Sequence, residues 1–405
     1  MSDSLTDVVP VDRPTGSDDR GTDPAGAPEP RRRGPVRARY AVALAGLVVL
    51  LALPLYADAF WLQLGLFAFA AAVAALGLSL LLGQAGQLSL GHSFFVAVGA
   101  YGYTALAGSS RTVGVSRQAG LALPPAVAAV LAVLLAGLAG LLFSPIAARL
   151  RGIYLGIASL GLVFVGQHVL FNAPALTGGF NGRNVPDFTL LGFRFGTSSE
   201  ETLFVLGVPF GREEKLWYLG VAVTAAAYLC YRNLVRGRPG RALRAVRDRE
   251  AMAAIMGVPV SRYKGYAFLV SSMYAGLGGV LLALAFGRIV PETFGMALAV
   301  EYLAMVVIGG LGSAGGAVLG AVFVSCLPAV LERYAAVLPG LAPAGSAGVS
   351  PAVAAKFGYG AAVIVLLLVE PGGAAAAGSR LLAAGRRFGC RVRSRRIPHP
   401  SQPAR

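Results

Sequence analysis

Apolar residues in this chain fall into long runs rather than alternating with polar ones. Ten runs stand out, at about 40–56, 60–82, 93–108, 121–144, 153–171, 216–231, 265–286, 298–309, 315–331 and 354–369. An α-helix rises about 1.5 Å per residue, so roughly 20 apolar residues cross the hydrocarbon of a bilayer. The pattern predicts an all-α integral membrane protein of about ten transmembrane helices with Gly-rich helix breaks. Two runs, 93–108 and 298–309, are short, and both adjoin Gly-rich segments. Short or Gly-interrupted helices are the sequence mark of a translocation site built from broken helices.

The break after run 60–82 carries the most polar chemistry. Gly83–Tyr101 holds Gln84, Gln87, Ser89, His92, Ser93 and Tyr101 among glycines, and then passes directly into apolar sequence. Backbone that leaves the helix at membrane depth persists only where protein or a water-filled cavity satisfies it. One reading makes Gln84, Gln87, Ser89, His92 and Tyr101 part of a polar route, offering donors and acceptors to a solute or to freed backbone groups. The other is an amphipathic connector at the interface. A second break lies in Glu301–Gly320, where Gly310–Gly315 formally matches GxGxxG. No βαβ context surrounds it, since it joins two apolar runs, so a dinucleotide site is excluded and a hinge at Gly309, Gly310 and Gly312 is expected. Glu301 either reaches an interface or, if buried, needs a partner.

Composition supports the membrane reading. Of 405 residues 56% are hydrophobic and only 13% charged, and mean hydropathy is +0.67. The net charge of +16 sits in blocks between apolar runs, the pattern of membrane orientation rather than of nucleic-acid binding. Arg31, Arg32, Arg33, Arg37 and Arg39 precede the first run and place residues 1–39, a Pro- and Gly-rich segment expected to be disordered, in the cytoplasm. Ten crossings return the Arg-rich tail, 371–405, to the same side. The connection Arg232–Lys264, rich in Arg, falls inside, whereas Asn172–Lys215 falls outside; Arg111 and Arg117 are the exception. The first apolar run begins at Tyr40, too late for a cleaved secretory signal. Cys230, Cys326 and Cys390 form no framework, and His92, His168 and His399 are too scattered for a metal site. No GxxxxGK[ST], HExxH or GxSxG motif occurs, nor a ladder of intramembrane acids.

Within Arg232–Lys264, residues 242–256 have high helix propensity, and Gly257 is placed to end the helix. Helical spacing puts Ala242, Val246, Ala253 and Met256 on one apolar face, interrupted by Arg249. Such a helix suits docking into a groove on a partner or lying on lipid headgroups. Arg149 and Arg151 read as interface anchors, and Gly152 with Gly156 as a small-residue pair for close helix contact. Leu176–Gly182 reads as a tight turn, either a plain surface loop or an outer gate or contact site for a solute-delivery protein.

Four blocks in order, Gly83–Tyr101, Arg151–Tyr154 with Thr177–Gly182, Gly240–Gly279 and Glu301–Gly320, give the chain its resemblance to permease subunits of ABC importers for branched-chain amino acids, over about residues 40–370. It is similar to the larger of the two permease types that pair as a heterodimer. The resemblance implies a transmembrane permease domain over 40–370 in a bacterial plasma membrane, with both termini cytoplasmic. It also implies a second permease, two cytoplasmic ATP-binding subunits that hydrolyse ATP, an extracytoplasmic solute-binding protein, and no cofactor or metal in this chain. The segment Ala242, Val246, Glu250, Ala253, Met256 and Gly257 would then be the coupling helix seated in an ATPase groove. Here Glu250 and Gly257 lie one residue further apart than is usual. A permease for urea, short amides or other amino acids and a stand-alone secondary transporter are the alternatives.

Overall fold

The computed structural model describes residues 46 and 48–369, except 114–115, 151, 191–192, 197–202, 206–207 and 335–349. Two units are distinguished, 1–49 and 50–405; of the first, Gly46, Val48 and Val49 are described, all helical. In the second, the helices are α1 (Ala59–Leu78), α2 (His92–Ala107), α3 (Pro125–Arg149), α4 (Ile153–Asn172), α5 (Arg212–Arg236), α6 (Arg238–Asp248), α7 (Glu250–Ile255), α8 (Val260–Phe286), α9 (Met296–Gly309), α10 (Ala314–Arg333) and α11 (Pro351–Val369). Every apolar run from 60–82 onward coincides with one of them, and run 40–56 lies partly outside the described residues.

Five of these helices are long and apolar enough to cross a membrane: Ala59–Gln84, Pro125–Arg149, Ile153–Asn172, Val260–Phe286 and Ala314–Arg333. Met296–Gly309 is apolar but shorter. An apolar helix that shows no polar face belongs either inside a bundle or against lipid. Burial separates the two cases. In α1 83% of the apolar window is buried and in α8 72%, against 28% in α4 and in α10. Helices α1 and α8 therefore form the core, and α3, α2 and α10 pack around them.

Lipid offers no hydrophobic drive between helices, so close approach of backbones holds the bundle. A Cβ at Gly99 of α2 would collide with the backbone of Gly276 in α8. Polar crossbars add direction: Ser271 Oγ donates to Gly77 O at 2.8 Å, and Tyr274 OH donates to Ala227 O at 2.9 Å, joining α8 to α1 and α5.

Among the described residues, eight short strands depart from the all-α expectation. They form four antiparallel pairs: β1 (Ser109–Val113) with β2 (Ser116–Leu121), β3 (Arg183–Asn184) with β8 (Arg288–Ile289), β4 (Thr189–Leu190) with β5 (Phe193–Arg194), and β6 (Leu203–Val205) with β7 (Val208–Phe210). The β3–β8 pair sets Arg183 opposite Ile289 and ties the α4–α5 connection to the end of α8. Arg183 is buried, and its Nη1 donates to Leu176 O at 2.9 Å; burial pulls its guanidinium below the ordinary value.

Candidate functional site

The end of the bundle opposite the strands gathers both helix breaks and the α5–α8 connection. Helix α1 widens into a π-helical turn, Ser79–Gln84, before leaving the helix. Such turns often sit at functional places in helices. Gly86 then takes φ +67°, a left-handed value suited to glycine. Ala85 N and Gln87 N bond back to Leu80 O and Leu81 O at 3.2 and 3.1 Å. Leu90 N donates to Ser159 Oγ at 2.8 Å, which fastens the break to the start of α4. The second break, Gly310–Ser313, carries φ +103° at Gly310 and +76° at Gly312, and Ser313 caps α10 by accepting from Gly316 N at 3.1 Å.

The two breaks touch. A Cβ on Gly83 would overlap the backbone of Gly312, and Gln84 Nε2 donates to Gly312 O at 2.9 Å. Helix α6 lies against the same point. Arg244 Nη1 reaches Gln84 Oε1 at 3.3 Å, and Arg247 Nη1 donates to Gly83 O at 2.6 Å. Arg247 also pairs with its neighbour Asp248 at 2.9 Å.

The connection 242–256 is two helices rather than one. Arg249, with φ −151° and ψ 93°, separates α6 from α7. Leu243, Val246 and Ala253 face the protein interior, Ala242 is half-buried, and Met252, Ile255 and Met256 are exposed at 53%, 78% and 81%. The outward apolar face is therefore Met252, Ile255 and Met256. Gly257, at φ +82°, ends α7, with Gly257 N bonding to Ala254 O and Val258 N to Ala253 O, each at 3.0 Å. Glu250 opens α7 and accepts from the buried Lys264 Nζ of α8 at 2.8 Å, so α7 with its outward apolar face, an exposed hook, is tied to the core helix.

The polar residues of the first break divide into two groups. Gln84 and His92 have protein partners: His92 Nε2 donates to Ala74 O at 2.8 Å, and its ring meets Tyr302 edge to face at 5.5 Å. Ser89 Oγ accepts from Gly91 N at 3.3 Å. Gln87, Ser93 and Tyr101 are buried with side-chain polar atoms that have no protein partner, and the Tyr101 ring rests against Phe294 at 5.6 Å. Gly309 ends α9 against the backbone of Gly316. Gly156 leaves room for Leu88 of the break, whereas nothing lies within 4 Å of a Cβ at Gly152. Glu301 is half-buried on α9, within electrostatic reach of Lys356 on α11. Phe180, in the turn Leu176–Gly182, is 79% exposed.

Sequence patterning did not single out Arg244, Arg247 or Lys264 as tethers. The partners of Arg244 and Arg247 lie 160 and 164 positions away, beyond the reach of any local period, and Glu250 lies 14 positions before Lys264 with the Gly257 turn between them. The available signal was weak: arginines at helical spacing on a face away from the apolar one, and a lone Lys at the start of an apolar run.

The chain matches the model of the branched-chain amino acid transport system permease component over residues 59–369. It is 32% identical over 256 residues to the high-affinity branched-chain amino acid transport system permease protein LivM of Salmonella typhimurium, covering 61% of this chain and 58% of that protein. LivM of Escherichia coli gives the same identity and coverage. The LivH permease protein of Escherichia coli is 31% identical over 113 residues, covering 28% of this chain and 36% of its own length. The chain thus spans about 58% of the length of the LivM proteins it matches. No solved structure gives a significant match. With more than half of its length matched, this multi-pass membrane protein belongs to the family of branched-chain amino acid transport system permease components.

Proposed function

We propose that this chain is a transmembrane permease subunit of an ABC importer for branched-chain, hydrophobic amino acids. The observation that carries this reading is the exposed apolar hook, Met252, Ile255 and Met256, bonded through α6 and Lys264 to two helix breaks and the core helix. A hook of this kind suits an apolar groove on a cytoplasmic ATP-binding subunit. Movement of that subunit is then delivered to Gly83–Gly91 and Gly310–Ser313, where helix ends meet at the mouth of the bundle.

In this reading ten spans cross a bacterial plasma membrane, with both termini and the hook cytoplasmic and the strand-bearing end outside. The arginines of α6 agree with that orientation. A second permease completes the route, two ATP-binding subunits supply ATP hydrolysis, and an extracytoplasmic solute-binding protein delivers the solute. The chain itself is no enzyme and holds no cofactor. Residues 1–39 and 371–405, which lie outside the described residues, are assigned as cytoplasmic tails. Along the route, the unpartnered groups of Gln87, Ser93 and Tyr101 offer hydrogen bonds to the charged ends of an amino acid. The substrate class named for the LivM relatives agrees.

Uptake of labelled leucine into cells with and without this gene tests the reading, with valine, alanine, urea and phenylalanine as competitors. Loss of leucine uptake on deletion, with competition by valine, is expected. Unchanged uptake in cells that express the protein and lack redundant carriers overturns the solute assignment.

A further inference from the structure

The carbonyl of Gly83 lies at the end of the π-helical turn Ser79–Gln84 that follows α1, where the last carbonyls of a helix have no donor within it. Arg247 supplies that donor across 164 residues of sequence, at 2.6 Å. The carboxylate of Asp248, on the same helix, balances its charge, so what Arg247 presents to the break is a directional donor rather than an unpaired cation. The stem of Arg247 lies across Gly86, where a Cβ would stand 2.5 Å from Arg247 Cγ. Arg244 holds Gln84, and Gln84 holds Gly312. Only Gly240, Leu243 and Val246 of α6 are buried, so much of its seating depends on these hydrogen bonds.

Resting on the importer reading above, we infer that Arg247 and Arg244 are positioning residues that lock α6 to both helix breaks, so that the ATPase-driven hook moves Gly83–Gly91 and Gly310–Ser313 as one unit. The lock works through Gly83 O and Gln84, not through contact with solute. A ligand can shift a conformational equilibrium only through groups whose interactions differ between its states. These bonds are the groups that link the hook to both breaks, and losing them leaves α7 free to move without its load.

The test uses the full chain assembled with its second permease and ATP-binding subunits, its three cysteines replaced. Spin labels are placed at the exposed Ala251 and Leu311. In the unmodified background, the distance between the labels should be narrowly distributed both without nucleotide and after trapping with ADP-vanadate. Arg247→Met should broaden it and lower the leucine moved per ATP hydrolysed about tenfold, the scale of one lost charge-assisted hydrogen bond. Arg247→Lys, which keeps a donor for Gly83 O, should restore the narrow distribution. An Arg247→Met complex that keeps the narrow distribution overturns the inference. Absence of leucine transport by the unmodified complex overturns the solute reading alone, because the label distances still decide the lock.

Discussion

Replacing Glu250 should release the hook from the core without unfolding the bundle. Lys264 is buried, with 6% of its side chain accessible, and Glu250, with 27% of its side chain accessible, places Oε1 2.8 Å from the Lys264 ammonium. At that distance and an effective dielectric of about 20, the Coulomb attraction is about 6 kcal/mol. Desolvation offsets much of it, and removing one partner of a buried pair costs about 3–5 kcal/mol. The accessible face of Glu250 argues for the lower figure, about 3 kcal/mol, or roughly a 100-fold rise in the open population. Because α7 is short and only Ala253 of it is buried, the loss falls on local detachment of Glu250–Ile255. Hydrogen exchange of the amides of Ala253 and Gly257 reads it directly. Glu250→Ala should speed their exchange about 100-fold, and a double replacement, Glu250→Leu with Lys264→Met, should recover most of the protection, since an apolar pair of similar volume leaves no charge stranded. Exchange in Glu250→Ala within threefold of the unmodified chain would refute the reasoning.

Three further outcomes follow from the geometry. Gly86→Ala meets both a left-handed φ of +67° and the Arg247 stem, so it should cost at least about 1–2 kcal/mol locally, read as reduced uptake with the protein still in the membrane. Gly99→Leu should separate α2 from α8 at Gly276 and remove folded, monodisperse protein from detergent extracts, as size-exclusion profiles would show. Met256→Asp places a charge on the most exposed apolar position of the hook and should weaken co-purification of an ATP-binding subunit about tenfold or more, without lowering the amount of this chain in the membrane.

The helices are largely legible because each is written locally, in uninterrupted apolar length; the run 60–82 needs no distant partner to read as a span. The π turn at Ser79–Gln84 is not, since its end at Gly83 and Gln84 is bonded to Arg247 and Gly312, residues more than 160 positions away. The division of 242–256 at Arg249 was equally hidden. Local propensity favours one helix there, but Lys264 draws Glu250 toward α8 while Arg244 and Arg247 draw α6 toward the breaks. These tethers also choose which apolar residues turn inward. Periodicity groups Val246 and Ala253 with Met256, and only tertiary contacts separate them. In the same way, Gln84 and Gln87 look alike in sequence, yet the side chain of one is bonded to Gly312 and that of the other has no protein partner.

Site-directed cross-linking in the assembled complex tests most directly whether an ATP-binding subunit sits on the outward face of the hook. Met256→Cys should cross-link to an ATP-binding subunit, and Val246→Cys, buried against the bundle, should not. Cross-linking from position 246 with none from position 256 would contradict the account.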